Sequence, residues 1–244
     1  MHLSLATADL SYLKMYLREA LPSVSASSRL EAAARGFGFN TYSGFRTALS
    51  EGPNRLHVLS AGFLGHLKER PFDEDQRLFP RIVLRAKLRQ TLEAAPQLTM
   101  HGFGVPPRRF SDSRSINEIR KQSRAEFFHD RSCDELELAL LLLQRCNKIK
   151  TLNRKIGSYS LKHRAENISR MYDIRTDLGN YVSNGAFIAA AMIDGFTVKQ
   201  IEYGNLNGYL NISSKSLKPF QRPTTRETIA QCLFGQSELI ETTI

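Results

Sequence analysis

In 132-SCDELELALLLLQRCNKIKTL-152, apolar residues fill nearly every position from Leu136 to Leu143, with no sign of the alternation a half-buried strand would show. A segment that is apolar all round for two turns suits a helix enclosed by other elements, so this one belongs at the centre of a core. Ser132, with Glu135 three residues on, has the spacing of a capping box and predicts the start of the helix.

Working outward, most of the chain carries helical patterns. Leu3, Leu10, Leu13 and Leu17 predict a helix over 3–20, ended by Pro22 and the serine-rich SVSASS. RLEAAARGFGF and TYSGFRTALSEG give two short helices parted at Gly36-Phe37-Gly38, with Thr41 as an N-cap and Gly52-Pro53 as a stop. Residues 1–52 thus read as a three-helix unit, and 54–72 fit strand or helix equally. Pro80 suits the first turn of a further helix reaching about Ala95. The glycines and prolines of 99-TMHGFGVPPRRF-110 mark a loop, which puts a boundary near 105 between an N-terminal helical domain (1–105) and a basic helical C-terminal domain (106–244).

Beyond that boundary come SINEIRKQSRAEFF, the leucine helix, SYSLKHRAENISR, and GAFIAAAMID, capped by Ser183 or Asn184 and closed by Gly195. Residues 196–213 read as a small β-hairpin turning at Asn207-Gly208. Ala191, Gly195, Phe196 and Ile201 also fit a helix-turn-helix; the Asn-Gly pair favours the hairpin. The expected fold is mainly α, multi-helical, with one small hairpin.

The 244 residues are 41% hydrophobic, enough for a core, and 34 Lys and Arg against 24 Asp and Glu give a net charge of +10. That balance points to phosphate-rich partners. The longest apolar runs, 138–143 and 186–193, are far too short to span a bilayer, and the N-terminus, with Asp9 and Glu19, does not resemble a secretory signal. Cys133, Cys146 and Cys232 are an odd number at wide spacing, which fits reduced thiols. A cytoplasmic protein with no membrane partner is expected.

Two clusters are candidates for anion contact. In 77-RLFPRIVLRAKLRQTLEAAP-96, Arg77, Arg81, Arg85 and Arg89 recur every fourth residue. At about 100° per residue, Arg81, Arg85 and Arg89 fall within roughly 80° of arc, hemmed in by Leu84, Leu88, Ile82 and Ala86. Such a ridge either pairs with carboxylates such as Asp73, Glu74 or Glu93 or lays its stems over the core, or else it meets phosphate. Between Gln144 and Ala165 stand Arg145, Lys148, Lys150, Arg154, Lys155, Lys162 and Arg164 with no acid among them, and Tyr159 and His163 are placed to stack on bases. A weaker cluster, Arg108, Arg109, Arg114, Arg120, Lys121 and Arg124, is diluted by Asp112, Glu118 and Glu126.

Signatures of catalysis and metal binding are missing from the sequence. GFGVPP lacks the third glycine of a dinucleotide loop, and no P-loop, GxSxG, CxxC or HExxH occurs. Cys133 and Cys146 would face nearly opposite ways on one helix, with His129 outside it. No metal or cofactor is expected. His163 and Glu166, three apart, would share a helix face: a pair that a nuclease could use, or a surface ion pair.

At 29-RLEAAARGFGFNTYSGFRTAL-49 the chain resembles a small helical module at the start of uncharacterised accessory proteins of bacterial plasmids and integrative conjugative elements. Leu30, Glu31, Ala34, Gly38, Phe39, Thr41, Tyr42 and Leu49 match, whereas Gly36 and Phe37 depart from the more frequent pair. SYSLKHRAEN (158–167) and YVSNGAFIAAAMIDGF (181–196) are similar to text from such proteins too. The resemblance implies a mobile-element setting and transfers no activity.

These readings converge on a non-enzymatic accessory protein that contacts the backbone of DNA or RNA through both clusters, alone or within a nucleoprotein complex. Docking on an acidic protein surface is the alternative, and a nuclease a lesser one.

Overall fold

The computed structural model describes residues 1–67, 75–107, 113–171 and 179–218. Among them are nine α-helices and three two-stranded antiparallel sheets, in a chain that divides into two compact units, 1–95 and 96–244. The protein is mainly α, as its periodicity predicts. Among the described residues, no helix is long and apolar enough to cross a membrane.

The first unit contains β1 (His2–Leu5), α1 (Leu10–Ala20), α2 (Ala26–Gly36), α3 (Tyr42–Ser50), β2 (Asn54–His57), α4 (Ser60–Leu67) and α5 (Leu78–Ala94). The predicted first helix starts later than expected, because residues 2–5 pair with 54–57 as a strand. Leu3 and Leu5 point to one side and are buried, an alternation that the helical spacing of Leu10, Leu13 and Leu17 had masked. The ambiguous 54–72 is strand for its first four residues and helix over Ser60–Leu67.

Ser25 and Thr41 cap α2 and α3, accepting from the amides of Ser28 and Gly44. Phe79 of α5 lies against Gly36, where a Cβ would come within 2.3 Å of its ring, and stacks on Phe63 at 4.5 Å. Thus Gly36 is the contact that admits Phe79. Lys87 reaches the buried Asp9 at 3.1 Å, tying α5 to the chain just ahead of α1.

The second unit contains β3 (Leu98–Thr99), β4 (Gly102–Phe103), α6 (Ile116–Ala125), α7 (Asp130–Leu143), α8 (Ser158–Met171), α9 (Asn184–Ile193), β5 (Val198–Gln200) and β6 (Gly208–Leu210). The leucine helix, α7, packs against both α8 and α9. Its start differs from the expectation. It begins at Asp130, and Ser132 donates to the carbonyl of Glu126 instead of capping. Ser115 forms a genuine capping box with Glu118 at α6.

The expected hairpin forms with β5 and β6, in place of a helix-turn-helix. Asn207-Gly208 is not its two-residue turn, since residues 201–207 make a longer loop that the Gln200 side chain closes by donating to Asn205 O at 2.6 Å. The hairpin β3–β4 belongs with the second unit, and the expected boundary near 105 falls beyond it.

Helix α9 comes so close to β3–β4 that a Cβ on Gly185 would lie 1.9 Å from the Thr99 carbonyl oxygen. Gly185→Ala should therefore cost about 1–3 kcal/mol or more through overpacking. Gly65→Ala, in α4 with nothing within 4 Å of the added Cβ, should stabilise by up to about 1 kcal/mol. Urea denaturation of the two variants checks this contrast, which a uniform helix-propensity effect would not produce.

Candidate functional site

Of the ridge arginines, Arg77, Arg81 and Arg85 are half-buried and Arg89 is exposed. Asp75 lies 3.5 Å from Arg81 and Glu93 lies 3.6 Å from Arg89, while the Arg77 amide donates to Asp75. Glu93 also accepts from Tyr12. Asp73 and Glu74 lie outside the described residues, as do Arg108, Arg109, Asp112 and Cys232. The ridge is in large part half-buried, with Arg89 exposed at its end.

Several cations of 145–164 are engaged within the protein. Arg145 donates to Leu141 O at 3.0 Å and Lys148 to Asp194 at 3.2 Å, and Lys162 is buried against Glu166 at 2.9 Å. Arg164 is half-buried, and burial lowers its pKa. A local count of charges missed these partners because Asp194 and Glu166 lie outside the counted stretch. Lys150, Arg154 and Lys155 are exposed on the loop leading into α8 and form no ion pair among the described residues.

Helices α8 and α9 meet at a cleft of about 460 Å³, lined by Tyr159, Lys162, His163 and Glu166 on one side and Tyr181 and Asn184 on the other, with His101 and Leu206 beside them. The two tyrosines, Lys162, His163, Glu166 and Asn184 come from two segments, 158–167 and 181–196. Their side chains meet in one place. Lys162 Nζ lies 5.0 Å from the ring centroid of Tyr159 and 5.1 Å from that of Tyr181, and the Arg131 guanidinium is 5.5 Å from the Tyr181 ring. Both rings remain about half open, at 53% for Tyr159 and 51% for Tyr181.

Glu166 organises the cleft. Although only 3% exposed, it accepts from Lys162 at 2.9 Å, from the Val182 amide at 3.1 Å and from His163 Nδ1 at 2.6 Å. Burial by itself would raise its pKa; the hydrogen bonds from Lys162, Val182 and His163 outweigh that and hold it below the usual value of 4.5. A carboxylate can only accept, so His163 Nδ1 carries a hydrogen and Nε2 is the ring nitrogen left for a ligand. The expected surface ion pair between His163 and Glu166 is in fact a buried carboxylate orienting a half-exposed imidazole.

Glu135 of α7 plays a parallel part, accepting from the Ser183 amide at 2.8 Å. Burial raises its pKa, against the opposing hydrogen bonds from Ser183 and the charge of Arg131. Consecutive amides ahead of α9 are thus held by two carboxylates, an arrangement favoured at a helix N-terminus. The floor is equally ordered: Ser158 Oγ donates to Asn184 Oδ1 at 2.7 Å and accepts from the Gly208 amide. Asn184 Nδ2 donates to the carbonyls of His101 and Leu206 at 3.1 and 3.0 Å.

Cys133 and Cys146 are buried, and burial pushes the Cys146 thiol up to about 12, which makes it unreactive at neutral pH. No group of three His, Cys, Asp or Glu side chains suited to a metal ion occurs among the described residues. A second cleft, of about 370 Å³ between α1 and α2, gathers Lys14, Arg18 and Arg29, the last donating to Leu21 O. It lacks the buried polar floor of the first.

The chain matches no known protein family, no characterised protein and no solved structure.

Because the folded-state pKa of Glu166 is depressed, its contribution to stability is present above the unfolded value of 4.5 and is lost as pH falls through the folded value. At pH 7, Glu166→Ala should cost about 3–5 kcal/mol, since it leaves Lys162 buried without its carboxylate. The gap between the wild type and Glu166→Gln in urea midpoint should shrink as pH is lowered from 7 to 3; a constant gap would contradict the assigned ionisation.

Proposed function

We propose that the protein binds single-stranded nucleic acid, and that the cleft between α8 and the start of α9 holds an unstacked base. The reading rests on one observation above the others, the pair of half-open tyrosine rings, Tyr159 and Tyr181, flanking the Lys162 ammonium at the mouth of a cleft with a fixed polar floor. Aromatic faces stack on any base, while the cleft's backbone carbonyls, Asn207 and His163 offer polar contacts at its edges.

Lys150, Arg154 and Lys155, exposed on the loop that leads into α8, supply phosphate contact next to this cleft in sequence. Arg89 is the exposed member of the ridge in the first unit. The net charge of +10 favours the same class of partner. In the mobile-element setting that the resemblance implies, such a protein would serve as a regulator or as part of a nucleoprotein assembly.

Fluorescence anisotropy with a labelled single-stranded RNA or DNA of mixed sequence, titrated at increasing salt, tests the reading. Binding should weaken with salt, and replacing Lys150, Arg154 and Lys155 by Glu should flatten the slope by about 0.7 per cation removed. Tyr159→Ala and Tyr181→Ala should each cost roughly 1–3 kcal/mol, about 5- to 150-fold in affinity. No binding of either polymer at about 50 mM salt, where backbone contacts are strong, would remove the proposal.

A further inference from the structure

The cleft contains a proton acceptor that stacking alone does not use. His163 is held through Nδ1 by the buried Glu166 at 2.6 Å, its side chain is 44% exposed, and Nε2 makes no hydrogen bond among the described residues. A carboxylate that fixes the tautomer and orientation of an imidazole, leaving Nε2 toward a ligand site, is the arrangement that general-base catalysis requires. Glu166 is itself fixed by Lys162 and the Val182 amide, so the imidazole is anchored to the body of the second unit.

A nucleic acid that brings its own nucleophile needs only such a base at that hydroxyl. In RNA, the 2′-hydroxyl stands next to the phosphodiester it can attack. We infer that the second unit is a ribonuclease site in which His163 Nε2 takes the proton of a 2′-hydroxyl. This inference rests on the proposed binding of single-stranded nucleic acid at the same cleft.

In the step, the 2′-oxygen forms a bond to phosphorus and the bond from phosphorus to the 5′-oxygen breaks. The 2′-hydroxyl proton passes to His163, and the departing 5′-oxygen takes a proton from water. The hydroxide so formed is neutralised when His163 gives its proton back to solvent. The products are a 2′,3′-cyclic phosphate and a free 5′-hydroxyl. Lys162, at the cleft wall, supplies positive charge as the phosphoryl oxygens gain negative charge. Glu166 is a positioning residue: it touches the imidazole and not the reacting atoms.

The charged and titratable groups around the imidazole are Glu166, Lys162, Arg170, Tyr159, Tyr181 and His101. Of these only Glu166 both bonds the ring and carries negative charge.

The test uses the full-length protein with a mixed-sequence RNA 20-mer labelled at its 5′ end, in EDTA, beside the 2′-deoxy strand of the same sequence. Binding is followed by anisotropy, and cleavage by gel and mass spectrometry. The expected result is that both strands bind, that only the RNA is cut, and that the products end in 2′,3′-cyclic phosphate. His163→Ala should still bind, with an affinity read from the same titration, and at saturating RNA should cleave at least ~100-fold more slowly, with partial rescue by added imidazole. Glu166→Gln, kept below its melting temperature, should cleave more slowly at saturating RNA, with kcat falling by more than KM changes.

Binding without cleavage, or equal cleavage by wild type and His163→Ala, overturns the ribonuclease assignment and leaves the binding reading in place. Failure of both strands to bind overturns both.

Discussion

Consecutive backbone amides, Val182 and Ser183, are received by two buried carboxylates, Glu166 and Glu135, and the form of the second unit's cleft follows from that contact. A buried carboxylate is expensive unless it is fully paired, and each one here gathers several donors. Glu166 draws in Lys162 and His163 from its own helix; Glu135 draws in Arg131 from the turn before it. The start of α9 is thereby fixed against α7 and α8. Tyr181 precedes the first of these amides, so its ring is delivered to the same ammonium that Tyr159 faces.

Close backbone approach does the remaining positioning. Gly185 lets α9 come against the Thr99 and Met100 backbone, and Gly102, at φ 120°, lets β4 approach the Leu206 carbonyl, where a Cβ would lie 2.0 Å away. The Leu206 carbonyl then accepts from both the Phe103 amide and Asn184. Four pieces of chain, distant in sequence, thus share one polar floor. In the first unit, Gly36 and Gly62 perform the same service where α2 meets Phe79 and α4.

Much of this was legible before any coordinates. Thr41, Ser183 and Gly195 mark their helix ends as capping chemistry requires, and the all-round apolar run of 136–143 does lie at the centre of its unit. What misled was chemistry with two uses. Ser132 and Glu135 have capping-box spacing, yet Glu135 is drawn to another helix's amide, a tertiary preference that no local pattern reports. Leu3 and Leu5 belong to a strand whose partner begins at Asn54, too far along the chain for periodicity to reveal.

The site was half visible. Tyr159, Lys162 and His163 stood out as part of a broad basic surface and Glu166 as a partner of His163, but not together as one wall of a cleft. Tyr181, Arg131 and Asn184 were missed, because only the fold brings them to α8. The basic count over 144–165 overstated the open charge, since Lys148 and Lys162 are satisfied by Asp194 and Glu166.

The most direct test of where a strand lies is photocrosslinking of 4-thiouridine-containing RNA to the intact protein, with the modified peptides identified by mass spectrometry. The account predicts adducts on Tyr159 or Tyr181 and their immediate neighbours. Adducts confined to the arginine helix α5, with none in 158–171 or 179–184, would contradict it.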